Sequence, residues 1–435
     1  MAGDGCGGLG GGASYSFSSL RGRWVLHPRH RLDIRVRDLI FGLTACVWAL
    51  GRGRLAAGVV RALSPGEDVL VCFSVRSGLD LLLEALGEEL GGEVIVSAVT
   101  HPDIVRIIEG HGLSAVPLDI APSTLEPRIE LLEAALSPRT RAVLVAQLFG
   151  GRFDLSPIAA FARRHGLLLI EDCAQAFRGP EDAGDPLADV SMFSFGSIKT
   201  TTAVGGAVLR VRNPDLLAAM RKLQEGWPVQ SRRRYAGRLI RTLSLVLVGN
   251  PLVYGLLAWG CEVAGRDLDA VVNGAIRAFP HEGSEELLPR IRHRPSAPLL
   301  AVLSRRLRTF DGARLARRAE SGERVARCLP GTVLHPGSDA RARTHWLFPV
   351  VVPHPESLVC ALRERGFDAS RATSSIAPVP APPGLSRFTP EDADRIMSRV
   401  VFVPVYPELP DEALDLLAEI VAETVAGSRT IASRA

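Results

Sequence analysis

Leu167-Leu-Leu-Ile170 runs straight into Glu171-Asp-Cys-Ala-Gln175, and further on Phe193-Ser-Phe-Gly-Ser-Ile-Lys199 leads into Thr200-Thr-Thr-Ala-Val-Gly-Gly206. Four apolar residues between a glycine and two acids suit a strand buried on both faces. A carboxylate just past the carboxyl end of such a strand stands where open α/β sheets bind their ligands. The second stretch puts a hydroxyl, a lysine and a glycine pair into one loop between two apolar runs. Lysine forms Schiff bases with carbonyl compounds, and does so best when desolvation or a neighbouring cation lowers its pKa. An aspartate opposite a pyridine nitrogen keeps that ring protonated and able to accept electrons. Asp172 and Lys199 are therefore the candidate catalytic pair, and Ser194 a candidate donor to a phosphate. Each taken alone also reads as an ordinary loop residue; their order along the chain carries the argument.

Outward from this pair the chain repeats itself. Short apolar runs at 94–96, 115–118, 142–146, 167–170, 190–193 and 207–211 alternate with helical patterns at 79–86, 104–109, 128–135 and 157–165. That alternation predicts an α/β fold with a mainly parallel, doubly wound sheet. No G-x-G-x-x-G follows the first strand, which argues against a dinucleotide enzyme. From about residue 310 the pattern changes: strands at 345–352 and 399–404 and helices at 356–366 and 411–425 predict a small α+β domain, with 374–386 as a loop.

The 435 residues are 47% hydrophobic and 23% charged, with a formal net charge of +4. This is a globular composition with room for two or three domains. The small net charge argues against a nucleic-acid partner. Seven scattered cysteines show neither metal-ligand spacing nor a disulfide framework, so no metal is expected and a reducing, cytoplasmic setting fits. The Gly/Ser-rich start, 1–19, reads as a disordered leader rather than a signal peptide.

Two apolar runs stand apart. Residues 39–50 follow a basic segment. Residues 242–261 carry no charge and follow Arg232-Arg-Arg234, Arg238 and Arg241. The second run has the length of a bilayer span, but Gly249-Asn-Pro251 interrupts its centre. Two readings stand: helices packed on the protein or at a dimer interface, or an element in contact with a membrane surface.

Taken together, these motifs resemble those of the DegT/StrS-type sugar aminotransferases, pyridoxal-phosphate (PLP) enzymes of the aspartate-aminotransferase fold, fold type I. The resemblance runs well over about 68–223 and loosely from 310 onward, where Val403-Pro-Val-Tyr-Pro407 is similar to a family segment. It implies Asp172 at the ring nitrogen, Gln175 at the ring hydroxyl, Ser194 at the phosphate and Lys199 as the Schiff-base lysine. Ser74-Val-Arg-Ser-Gly78 replaces the family's Gly-Thr, so Arg76 and Ser77 are the implied phosphate ligands at a helix N-terminus. His101 takes the place of the aromatic residue that stacks on the cofactor. Arg292 aligns with an asparagine that reaches the phosphate from the partner subunit. The division implied is 1–54 as an N-terminal leader and apolar segment, 55–226 as the PLP domain, 227–309 as an insertion, and 310–435 as the small domain. The expected activity moves an amino group, with glutamate as the expected donor, to a nucleotide- or lipid-linked keto-sugar. The expected assembly is a cytoplasmic homodimer, with possible membrane-surface contact through 242–261. A PLP-dependent lyase or dehydratase, and a non-catalytic PLP-binding regulator at the membrane, are the alternatives.

Overall fold

The computed structural model describes residues 25–48, 51–63, 68–87, 92–276, 287–371 and 375–432. The stretch read as a leader, 1–19, lies outside them. Seven strands form the main sheet: β1 (Val69–Cys72), β2 (Glu93–Ser97), β3 (Ser114–Leu118), β4 (Thr140–Ala146), β5 (Leu168–Asp172), β6 (Val190–Ser194) and β7 (Ala207–Val211). Their order is β1-β7-β6-β5-β4-β2-β3. The pairs β2–β3, β2–β4, β4–β5 and β5–β6 are parallel, whereas β7 runs antiparallel to both β6 and β1. All six predicted strands are present. The seventh, β1, is not among the predicted strands, although Val69-Leu-Val-Cys72 is the same kind of continuous apolar run; it pairs antiparallel with β7.

Both faces of the sheet are covered, as continuous apolar runs require. On one face Leu144, Ile170, Met192 and Leu209 meet α3 (Val75–Leu86), α4 (Pro102–Gly110) and the later helix α6 (Pro214–Glu225). On the other, Val143, Val145 and Leu169 meet α5 (Ser156–Arg164). Caps fix where these helices begin. Ser74 accepts the Ser77 amide to start α3, His101 caps α4 with Pro102 behind it, and Asn213 caps α6 ahead of Pro214. The predicted helix at 128–135 is only a 3-10 turn, Ile129–Leu131, and one α-turn, Leu132–Ala135. Pro127 and Pro138 leave no room for more.

The N-terminal helices α1 (Val36–Val47) and α2 (Arg52–Leu63) pack on α10 (Ala297–Arg308), and α1 also on α7 (Arg232–Val248). Gly42 permits the close approach: a Cβ there would stand 2.9 Å from Leu239 and Val302. Buried Asp38 on α1 accepts from Arg305 and Arg306 of α10 at 2.8 and 3.2 Å. After α7 come α8 (Pro251–Val263) and α9 (Leu268–Ile276). Asn250 caps α8 ahead of Pro251, so the sequence breaker is a stop, cap and restart; α7 and α8 meet at 100°.

Beyond α11 (Gly312–Cys328) the small domain pairs β8 (Phe348–Val351) with β9 (Val400–Val403), antiparallel, against α12 (Pro355–Glu364) and α14 (Asp411–Ala432); α13 (Glu391–Arg399) precedes β9. The predicted strand at 345–352 is shorter than read, because His345 adopts a left-handed φ of 46°. A buried ionic cluster ties this domain to the insertion. Asp368 accepts from Arg29 (2.6 Å), Arg363 (3.1 Å) and Tyr254 of α8 (2.6 Å), and Arg29 also pairs with Asp269 of α9 (2.5 Å).

Candidate active site

The carboxyl ends of β4, β5 and β6 and the N-terminus of α3 converge on one cavity of about 230 Å³. Strand alternation sorts the two adjacent acids of β5. Glu171 turns into the protein, where Gln147, Arg152, Ser191 and the Asp185 amide all donate to it. Asp172 lines the cavity. Its Oδ1 accepts from the Ala174 amide at 2.9 Å, and its Oδ2 has no hydrogen-bond partner among the described residues. Burial, reinforced by Glu171, holds the Asp172 carboxyl above its ordinary range, against the pull of the Ala174 amide and Lys199. A buried, half-satisfied carboxyl of this kind is completed by a cation or N–H donor. Gln175 lines the same wall, its Oε1 accepting from the Phe149 amide at 2.9 Å.

Lys199 enters from the loop after β6. Its amine lies 4.1 Å from the centre of the Trp346 ring. Burial pushes the amine down to about 8; Asp172 pulls it back up and Arg76 pushes it further down. The loop is clamped from two sides: the Ile198 carbonyl accepts from Trp346 Nε1 at 2.9 Å and contacts His30 Nε2 at 3.2 Å. The chain holds only two lysines, and Lys222 is exposed on α6. That count alone singles out Lys199, and the motif reading did not use it.

At the opposite end lies the start of α3, where free backbone N–H groups favour an anion. Ser74, Val75 and Arg76 line the cavity there, together with Ser194. Arg76 is oriented by Asp103, 2.5 Å from its Nη1. His101 also lines the cavity, with Nδ1 accepting from the Asp103 amide. Two expected residues, Ser77 and Arg292, do not line this cavity. Ser77 is fully buried one turn behind Ser74: its backbone N–H is taken by Ser74 Oγ at 3.1 Å, and its hydroxyl donates to the Ile291 carbonyl at 2.7 Å. Arg292 lies outside the cavity, its guanidinium bound by both oxygens of buried Asp80 at 2.8 and 3.0 Å. Its expected role lies across a subunit interface, in the partner's site rather than in the cavity of its own chain. Arg238 of α7 lines the cavity, 5.4 Å over the Phe73 ring and close to Gly205. Burial and the charge of Arg76 both lower the Arg238 pKa. Two mutually repelling cations at one end of a cavity are relieved by an anion between them. Asn273 of α9 and Trp346 complete the walls. None of these three carries a local motif, which is why sequence reading passed over them.

Residues 60–247 match the sequence model of the DegT/DnrJ/EryC1/StrS aminotransferase family. GDP-perosamine synthase of Caulobacter vibrioides is 32% identical over 212 residues, 47% of this chain and 56% of that protein. The chain spans about half the length of the curated relatives it matches. Among solved structures, the aminotransferase TlmJ from Streptoalloteichus hindustanus superposes with a TM-score of 0.64 at 22% identity, covering 93% of this chain and 98% of that one. A Bacillus subtilis protein, NtdA, solved with the cofactor PMP, gives 0.62 at 16% identity over 90% and 82% of the two chains. These likenesses establish the shared fold.

The family depends on pyridoxal phosphate, and the residues present fit that group. The unsatisfied Asp172 Oδ2 suits a pyridinium N–H. The paired cations Arg76 and Arg238, the α3 amides and Ser194 suit a phosphate, and the Lys199 amine suits an aldehyde. With the motifs in order, the cavity at the strand ends and the sheet topology in agreement, the chain is similar over residues 60–247 to the DegT/DnrJ/EryC1/StrS aminotransferase family and shares the fold type I architecture of the solved aminotransferases.

Proposed function

We propose that the protein is a PLP-dependent aminotransferase that moves an amino group from an amino acid, glutamate by family resemblance, to a keto-sugar carried on a nucleotide or a lipid. The observation that carries this reading is one cavity lined by a buried carboxyl at Asp172 and a depressed-pKa amine at Lys199. The bound cofactor supplies an electron sink for the bond breaking at the amino acid's Cα. Asp172 holds the ring N–H and so keeps the sink charged. Lys199 Nζ, neutral part of the time near pH 7, takes the proton from the donor's Cα and, when the acceptor is aminated, delivers a proton to the acceptor carbon, where the new C–H bond forms. Trp346 and the clamped Ile198 carbonyl hold that amine in place. Asn273, brought by the insertion, lines the same cavity and is available to an acceptor's polar groups. The name of the Caulobacter relative, with its GDP-linked product, supports a nucleotide carrier. Buried thiols at Cys72 and Cys173 suit a reducing cytoplasm, and the family resemblance supports a homodimer.

Lys199→Ala is expected to abolish amine transfer and the visible band of the lysine-bound cofactor. Nitrogen-labelled glutamate, offered with a panel of keto-sugars, should pass its label to the sugar; release of ammonia without a labelled amino sugar would favour elimination instead. Wild-type turnover by Lys199→Ala would overturn the assignment.

A further inference from the structure

The bent pair α7–α8 divides its residues between the protein and the outside. Tyr235, Leu239 and Thr242 of α7 are buried, and Tyr254, Ala258 and Cys261 of α8 pack with Leu26, Leu268 and Val272. The outer side of α8 is an uninterrupted apolar stripe: Leu252, Leu256, Trp259 and Val263, at i, i+4, i+7 and i+11, are 50–69% exposed. Leu247, at the end of α7, extends it at 60% exposure.

Length decides what such a stripe can do in a bilayer. At 1.5 Å per residue the 13 residues of α8 reach only about 20 Å and the 17 of α7 about 26 Å, short of the ~30 Å hydrocarbon layer. Their inner faces are already occupied by protein, and the two meet at 100°. Neither crosses; both can lie along an interface, apolar side down. Arg233, Arg234 and Arg241 are exposed on α7, while Glu262 is the exposed acid of the pair.

We propose that the outer face of α8 and the end of α7 dock on the headgroup layer of an anionic membrane. The charge favours lipid over a second copy of this chain. A two-fold contact would set the arginines of α7 against their own copies, whereas an anionic leaflet neutralises them. The docking helix α7 also supplies Arg238 to the cavity, and α9, packed against α8, supplies Asn273. Resting on the activity proposed above, this arrangement presents the cavity to an acceptor sugar held on a membrane lipid.

The test is co-sedimentation of the full-length, cofactor-loaded protein with vesicles of phosphatidylcholine, with and without phosphatidylglycerol. It needs no turnover, so it fails or succeeds independently of the aminotransferase reading. Wild-type protein is expected to pellet with the anionic vesicles and to be released by salt. Leu256→Glu/Trp259→Glu should remain in the supernatant with its cofactor band and melting temperature unchanged. Arg233→Gln and Arg241→Gln should each lower partitioning about fivefold, the effect of one surface charge. Wild-type protein that stays in the supernatant, equal binding by Leu256→Glu/Trp259→Glu, or conversion of a dimer to monomers by that same variant would overturn the proposal.

Discussion

Replacing Asp172 by Asn tests the electrostatics of the site rather than its mere presence. The Lys199 amine is pushed from its ordinary 10.5 to about 8, first by burial, with Arg76 adding and Asp172 opposing. At pH 7 an amine of pKa 8 is neutral about 9% of the time and one of pKa 10.5 about 0.03%, a ratio of roughly 300. Only the neutral amine attacks an aldehyde. The rate at which cofactor-free protein captures pyridoxal phosphate should therefore rise about tenfold per pH unit below 8 and flatten above it. Asp172→Asn removes the carboxylate that stabilises the ammonium, so the inflection should fall below 8. Arg76→Ala removes a cation, so the inflection should rise. Stopped-flow absorbance gives the rates, and borohydride reduction followed by peptide mass locates the adduct; with only Lys199 and Lys222 in the chain the location is unambiguous. A wild-type inflection near 10.5, or a shift of both variants in the same direction, would refute the reasoning.

Asp368→Ala removes one of the two carboxylates that Arg29 and Arg363 share, leaving Asp269, and takes the acceptor from Tyr254; it should cost about 1–3 kcal/mol in denaturant unfolding. In Gly150→Ala the new Cβ would stand 2.5 Å from Thr344 Oγ1 and 2.6 Å from the Trp346 amide, at a φ of +91°. A loss of about 1–3 kcal/mol is expected, together with a fall in turnover as Trp346 shifts off Lys199. Arg238→Ala removes one charged contact from the anion end of the cavity and should weaken cofactor retention about 10- to 100-fold in equilibrium dialysis, the usual worth of a charge-assisted hydrogen bond; unchanged retention would assign Arg238 to the substrate alone.

Much of this was present in the linear chain. Strands buried on both faces must be nearly continuous apolar runs, so β2 to β7 could be read without knowing their neighbours. A strand's end and the residues just past it are local, so Asp172, Gln175, Ser194 and Lys199 were identifiable by adjacency. The α7–α8 break was likewise local, since Gly249-Asn-Pro251 combines a stop, a cap and a helix start. What the chain alone could not assign were directions and distant meetings. Ser74, the cap of α3, lines the cavity, while Ser77 one turn on is buried with its amide held by that cap and its hydroxyl by the Ile291 carbonyl; only the packing of α3 decides which is accessible. Arg292 found Asp80, more than two hundred residues earlier, and Arg238, Asn273 and Trp346 reached the cavity from separate elements. Such contacts depend on how the layers stack, a property of the whole chain's buried surface that no short window of sequence contains.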